Sequence, residues 1–173
     1  MEKLKNQKEK RTQVIKRPDL CTADELKKFH GLVLRGGQVT SERLPELIRR
    51  AKLLGFHYVG PRLAAVAGLK TPRESYKNRV FREAGVEHLS NQSHTELGWA
   101  VTRKEFQGSG IATSLIQKLL NQMKDEKIFA TTASDNFPMR RLLTRFGFRQ
   151  VGHAYGDPML ESSSKLLWFL END

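Results

Sequence analysis

The sequence predicts a mixed α/β fold, in which helices cover the faces of one central sheet. Apolar residues recur at helical spacing over residues 22–34 and 41–54, near the start of the chain. Short apolar runs typical of strands follow at 56–59, 63–69, 97–101 and 128–133. From the third of these runs onward, strands alternate with helical segments, which is the order of an α/β sheet.

The first two helices have recognisable boundaries. Thr22 and Glu25 form a capping-box pair at the start of the first helix, and the Gly36-Gly37 pair ends it. The second helix is predicted to begin near Ser41. Its apolar positions continue at helical spacing as far as Leu54.

The remaining elements are marked by glycine and proline. Gly60-Pro61 predicts a hairpin turn between the first two strands, and Pro72 opens a helix over residues 71–86. Helices are also predicted at 108–123 and 136–146, with closing strands at 148–151 and 166–170. The crossover between the strands at 97–101 and 128–133 predicts that these two are parallel.

Length and charge limit the class of protein. The chain has 173 residues and a formal net charge of +11, which suits one domain with a basic surface. We expect a flexible basic extension over residues 1–20 and a domain over residues 21–173. No apolar run approaches the length of a membrane span, and the single cysteine fits a reducing compartment, so we expect a cytoplasmic protein without a membrane partner. The five histidines have no metal-ligand spacing, so we expect no metal site.

A glycine-containing loop is the main candidate for a ligand site. Gly108 and Gly110 follow a predicted strand and open a predicted helix, where free amides and the helix dipole favour a pyrophosphate. The loop lacks the Lys-Ser/Thr pair of a Walker loop, because Ile111 and Ala112 follow Gly110. It also lacks the third small residue of a dinucleotide-binding fingerprint. A turn without a ligand remains the alternative at this point.

Two segments resemble the GNAT acetyltransferase superfamily. The run Gln107-x-x-Gly110-x-Ala112 is similar to its pyrophosphate-binding signature, and residues 136–148 resemble its second block, where an asparagine begins a helix that ends in Gly-Phe. The resemblance covers residues 96–153. It implies the GNAT fold, with a mostly antiparallel sheet that is splayed at the cofactor site, and acetyl-CoA as co-substrate.

The resemblance implies a role for individual residues. Main-chain groups of Ala100, Val101 and Thr102 would contact pantetheine, and Asn136 would reach the same arm or simply cap its helix. The pyrophosphate would be held mostly by the amides of Gln107, Gly108, Ser109, Gly110, Ile111, Ala112 and Thr113. Arg103, Lys104, Arg140 and Arg141 are candidates to meet the anionic nucleotide, or are solvated charges.

The same resemblance points to Glu96 as a general base. It lies eleven residues before Gln107, the spacing of the catalytic glutamate in the histone-acetylating branch of the superfamily. A departure occurs at Leu143, where the family often has a tyrosine that protonates the leaving thiolate. We expect Tyr155 or Ser134 to substitute for it, or the thiolate to leave without a dedicated acid; Tyr155 is equally compatible with a packing role.

These observations favour an N-acetyltransferase that acts on a primary amine of a small molecule or a peptide. The alternatives are acetylation of aminoacyl-tRNA, which the basic residues suggest and Leu143 argues against, and a non-catalytic CoA-binding module. We expect a monomer or a homodimer. The sequence does not identify the acceptor.

Overall fold

A seven-stranded sheet forms the centre of the computed structural model, which describes residues 9–37, 42–157 and 160–171. The strands are β1 (Arg11–Lys16), β2 (Leu53–Val59), β3 (Arg62–Lys70), β4 (Thr95–Thr102), β5 (Ile128–Ala133), β6 (Arg149–Asp157) and β7 (Leu160–Leu170). Their order in the sheet is β1-β2-β3-β4-β5-β7-β6. Neighbours are antiparallel except for β4 and β5, which are parallel as the crossover predicts.

Five α-helices connect the strands in the described part of the chain. They are α1 (Ala23–Arg35), α2 (Leu44–Arg49), α3 (Glu74–Glu83), α4 (Ile111–Leu120) and α5 (Phe137–Arg145). The capping box of α1 is present, since Thr22 Oγ1 accepts from the Glu25 amide and Glu25 Oε2 accepts from the Thr22 amide. The mixed α/β fold with helices on both faces is therefore confirmed.

Several boundaries differ from the sequence prediction. The closing strands β6 and β7 are longer than the predicted ranges 148–151 and 166–170. The predicted start of the second helix at Ser41 lies outside the described residues. This helix ends at Arg49, and Leu54 lies in β2, because an apolar spacing over a few residues suits a buried strand as well as a helix. The predicted basic extension covers residues 1–20, of which residues 1–8 lie outside the described residues. Residues 11–16 form β1, which pairs in full register with β2 at the sheet edge.

The core is divided by the sheet into two layers. On one face, α4 and α5 pack against apolar residues from the middle of the sheet, including Leu97 and Ala130. On the other face, α1 and α2 cover β2 to β4, while α3 covers β5 and β7 through Phe81, Phe129 and Phe169. The second face therefore has two separate helical covers, and the start of β4 lies between them.

Candidate active site

The strands β4 and β5 are paired over only three residues, and they separate beyond that point. Their parallel register covers residues 95–97 of β4 and residues 128–130 of β5. Farther along, β4 stays paired with β3 as far as Thr102, while β5 pairs with β7 as far as Ala133. The main chain of residues 98–102 therefore forms an open edge, to which an extended ligand can add hydrogen bonds.

A bulge in β4 accompanies this separation. Val66 pairs with Val101 and Gly68 pairs with Gly98, so that two residues of β4 oppose a single residue of β3. One of the two, Trp99, has a positive φ of 53°, which is unusual for a bulky side chain. Its indole lies against Gly68, where an added Cβ would be 2.7 Å from the ring. A bulge bends its strand, which accounts for the departure of β4 from β5.

The glycine loop continues from the open edge to the start of α4. Gln107 Nε2 donates to the carbonyl oxygen of Thr102 at 3.1 Å, which ties the loop to the end of β4. Gly108 and Gly110 have φ values of 76° and 75°, and no atom lies within 4 Å of a Cβ placed on either. No side chain caps α4, so its first amides face an open space at the positive end of the helix dipole.

Asn136 caps α5 in the structure. Its Oδ1 accepts from the Met139 amide at 3.2 Å, while the Arg140 guanidinium donates to the carbonyl oxygen of Ser134 at 2.8 Å. The Ser134 hydroxyl in turn accepts a hydrogen bond from Ser164. Leu143 is fully buried against the sheet, so the position of the family's tyrosine belongs to the core.

Glu96 is buried at the point where β4 and β5 separate. Only 1% of the residue is exposed, and its Oε1 receives three contacts from three different elements. Lys70 Nζ from β3 lies at 2.8 Å, the Tyr76 hydroxyl from α3 at 3.2 Å, and the Thr131 hydroxyl from β5 at 3.3 Å. The carboxylate is therefore buried, held by three polar partners, and placed where the open edge of β4 begins.

Two tyrosines accompany Glu96 on this face of the sheet. Burial is the main reason why the pKa of Tyr76 is raised well above its usual value, and the adjacent Glu96 carboxylate raises it further. Tyr76 therefore stays protonated and donates to Glu96. Tyr155 is 9% exposed, lies in the apolar cluster under α3, and is close enough to Tyr76 to contribute to the same shift.

Three polar partners of Glu96 were not predicted from the sequence: Lys70, Tyr76 and Thr131. Lys70 is the direct cross-strand partner of Glu96, but α3 lies between β3 and β4, so no hairpin turn fixes this register in the sequence. Tyr76 lies on a helix inserted between two strands, and no sequence spacing connects it with residue 96. Thr131 comes from the parallel neighbour, whose register depends on the length of the α4 crossover.

The arginines that are candidates to contact the nucleotide lie in different surroundings. Arg103 Nε donates to the carbonyl oxygen of Leu63 at 2.7 Å, so this guanidinium ties the start of the glycine loop to β3. Arg140 and Arg141 line a hollow of about 310 Å³ beside α5, together with Phe137, Thr144 and Trp168. Trp168 belongs to the core cluster under α4 and α5, so this hollow is on the opposite face of the sheet from Glu96.

Neither a metal-ligand cluster nor a membrane-spanning helix occurs in the part of the chain that the structure describes. No group of three or more His, Cys, Asp or Glu side chains within residues 9–37, 42–157 and 160–171 could hold a metal ion. No helix in this part of the chain is long and apolar enough to cross a bilayer.

Solved structures with this fold are numerous. An acyl-CoA N-acyltransferase from Pseudomonas aeruginosa superposes with a TM-score of 0.69 at 14% identity, covering 94% of this chain and 100% of that chain. The ribosomal-protein-S18-alanine N-acetyltransferase from Escherichia coli gives a TM-score of 0.65 at 10% identity, covering 93% and 94%. NAA60 from Arabidopsis thaliana, in complex with a bisubstrate analogue, gives 0.67 at 12% identity, covering 92% and 97%. Identities this low show a shared fold.

The sequence comparison is more specific. No curated protein sequence matches the chain at a significant level. The profile of the Acetyltransferase (GNAT) family, however, matches residues 36–148, which is more than half of the chain. This match includes the open edge of β4, the glycine loop and the Asn136 helix. The chain therefore belongs to the GNAT acetyltransferase family.

Proposed function

We propose that the protein transfers an acetyl group from acetyl-CoA to a primary amine of a small molecule or a peptide, with Glu96 as general base. The position of Glu96 carries this proposal. A carboxylate that is 1% exposed lies where the open edge of β4 begins, and hydroxyl groups of Tyr76 and Thr131 hold it in place. Buried carboxylates with fixed partners at the end of a ligand groove are typical of acid–base sites.

The residues along the groove fit acetyl-CoA. The main chain of Ala100, Val101 and Thr102 can bind the pantetheine arm, because this edge has no β5 partner in the sheet. The amides from Gln107 to Thr113 can bind the pyrophosphate, since α4 has no capping side chain. Asn136 uses Oδ1 as a helix cap, which leaves its side-chain NH₂ to reach the pantetheine arm.

The chain's own residues supply the acid–base chemistry. Acetyl-CoA brings an acyl group activated as a thioester. An acceptor amine with a pKa of about 10 is mostly protonated at neutral pH, so it must give up a proton before attack, and Glu96 accepts it directly or through water. Main-chain N–H groups near Ala100 polarise the thioester carbonyl. Tyr155 is proposed to protonate the departing thiolate, because Leu143 offers no proton.

A screen of amines tests the proposal. The protein is incubated with acetyl-CoA and polyamines, amino acids, lysine peptides, peptides with free N-termini or aminoacyl-tRNA, and free thiol is followed. We expect one class of amine to accelerate thiol release, with the acetylated product identified by mass. Failure to bind acetyl-CoA at millimolar concentration would contradict the proposal. If only aminoacyl-tRNA is acetylated, the acceptor is the alternative to which the basic residues point.

A further inference from the structure

One primary amine already lies beside Glu96 in the structure. Lys70 Nζ is 2.8 Å from Glu96 Oε1, and the lysine side chain is 22% exposed. The pairing is built into the sheet, because Lys70 and Glu96 are direct partners between β3 and β4. Lysine presents the functional group of the proposed acceptor, a primary amine.

The side chain of Lys70 extends toward the point where β4 and β5 separate. A Cβ placed on Gly98 would be 2.7 Å from Lys70 Cε and 3.0 Å from Nζ, so the missing side chain at Gly98 makes room for the lysine. The ammonium also lies 5.5 Å from the centroid of the Trp99 ring. Gly98 is the first residue of β4 beyond its pairing with β5, where the open edge begins.

The amine is therefore in contact with the proposed base and near the end of the proposed cofactor groove. A group held in this way reacts as if it were present at very high concentration, because its orientation is fixed before the reaction. An external amine that approaches Glu96 has to displace Lys70. In the absence of an external amine, Lys70 is the nucleophile nearest to the base among the described residues.

We propose that Lys70 is a site of self-acetylation, at which the protein transfers an acetyl group from acetyl-CoA to its own Nζ. This inference rests on the proposed function, from which it takes acetyl-CoA as donor and Glu96 as base. The Lys70 ammonium gives one proton to Glu96, and Nζ then attacks the thioester carbonyl carbon. The C–N bond forms as the C–S bond breaks. Tyr155 protonates the leaving sulfur, and the second proton of the nitrogen replaces the one that Tyr155 gave up. The products are N-acetyl-lysine, CoA thiol and the proton that Glu96 releases.

Self-acetylation changes the charge next to the base. An amide carries no charge, so acetylation ends the ion pair between Lys70 and Glu96. Glu96 then keeps the hydroxyl groups of Tyr76 and Thr131 as hydrogen-bond donors.

Two acetylating reagents separate this reaction from ordinary surface chemistry. Acetic anhydride reacts according to exposure, whereas transfer from bound acetyl-CoA depends on position in the site. Peptide mapping of the full chain should show Lys70 among the slowest lysines with acetic anhydride, and about tenfold or more faster than any other lysine with acetyl-CoA. Lys16 is the matched control, because it is also paired with a glutamate, at 2.6 Å, and its side chain is 30% exposed.

Three further results follow from an intramolecular reaction at this site. The fraction of Lys70 acetylated per minute should not change when the protein is diluted, and Glu96→Gln should abolish the modification. Lys70→Arg should remove the modified peptide without directing the acetyl group to another lysine. Acetylation of Lys70 and Lys16 at equal rates, or a rate that rises with protein concentration, would overturn the inference.

The same incubation separates this inference from the proposed function. An external amine is added to half of the sample. If that amine is acetylated while Lys70 stays unmodified, self-acetylation is wrong and the proposed function stands. If acetyl-CoA does not bind and neither amine reacts, both are wrong.

Discussion

Replacing Gly110 with alanine separates the backbone requirement of the glycine loop from its proposed ligand role. Gly110 has a φ of 75°, and an added Cβ would meet no atom within 4 Å. The strain of a left-handed alanine costs about 1–2 kcal/mol, and the loss of flexibility in the unfolded chain offsets up to about 1 kcal/mol of it. We expect Gly110→Ala to lower the free energy of unfolding by about 1 kcal/mol.

Gly37 is a matched control for this substitution. It has a φ of 69° and the same open surroundings, but it lies at the end of α1, far along the chain from the loop. Urea denaturation should therefore show a similar loss for Gly37→Ala.

The two variants should differ in acetyl-CoA binding. The new methyl group of Gly110→Ala projects into the open space before α4, where the pyrophosphate is proposed to lie. Displacing one charge-assisted hydrogen bond costs about 1.5–3 kcal/mol, or about 10- to 150-fold in Kd. Isothermal titration calorimetry should show this loss for Gly110→Ala and an unchanged Kd for Gly37→Ala. An unchanged Kd for Gly110→Ala, or an equal loss in both variants, would refute the assignment of the loop.

Three substitutions test stability away from the site. Gly152→Ala should destabilise the protein by more than about 3 kcal/mol. The new Cβ would overlap the carbonyl oxygen of Ala84, and the φ of 67° at position 152 is strained for alanine. Gly31→Ala within α1 should instead stabilise the protein by about 0.5–1 kcal/mol, because the new methyl group meets no neighbouring atom. Similar melting temperatures for Gly152→Ala and Gly31→Ala would contradict the packing around these glycines. The pKa of Glu25 is lowered, mainly by the hydrogen bond from the Lys16 ammonium and next by that from the Thr22 amide. Ionised Glu25 therefore stabilises the fold at pH values above its pKa in the unfolded chain. This stabilisation is lost as the pH falls through the pKa of Glu25 in the folded protein. Glu25→Gln should therefore lose about 0.2–1 kcal/mol at neutral pH, the range of a solvent-screened ion pair, and match the wild type in acid; a pH-independent difference would exclude this cause.

Local patterns predicted most of the elements and the loop. The Gln107 to Ala112 run, the Asn136 cap and the capping box at Thr22 depend on residues that are close in sequence. The structure caps α1 at Thr22 and α5 at Asn136 as expected, while α4 begins at Ile111, three residues later than expected. The resemblance to the GNAT superfamily, through the spacing of residue 96 to Gln107, indicated Glu96, and its role as base stays a prediction. Such signals are readable because turns and helix caps require particular residues at fixed offsets.

Features that depend on tertiary contacts could not be predicted in the same way. Strand β1 carries Arg11 and Lys16, and charged residues are common on exposed edge strands, so its composition is also that of a solvated tail. The positive φ of Trp99 has no local signal, because it is stabilised by the bulge and by the space at Gly68. The contacts of Glu96 come from β3, α3 and β5, and they follow only from the assembled sheet.

The pH dependence of turnover in Glu96→Gln tests the central claim most directly. Glutamine keeps the size of the side chain and an acceptor oxygen for Tyr76 and Thr131, but it cannot take a proton from an amine. With the best acceptor of the screen, kcat should fall by about 100-fold or more, while the Kd for acetyl-CoA stays unchanged. The remaining activity should rise with pH, as unprotonated amine becomes available. Wild-type kcat and an unchanged pH profile in Glu96→Gln would contradict the role of Glu96 as base.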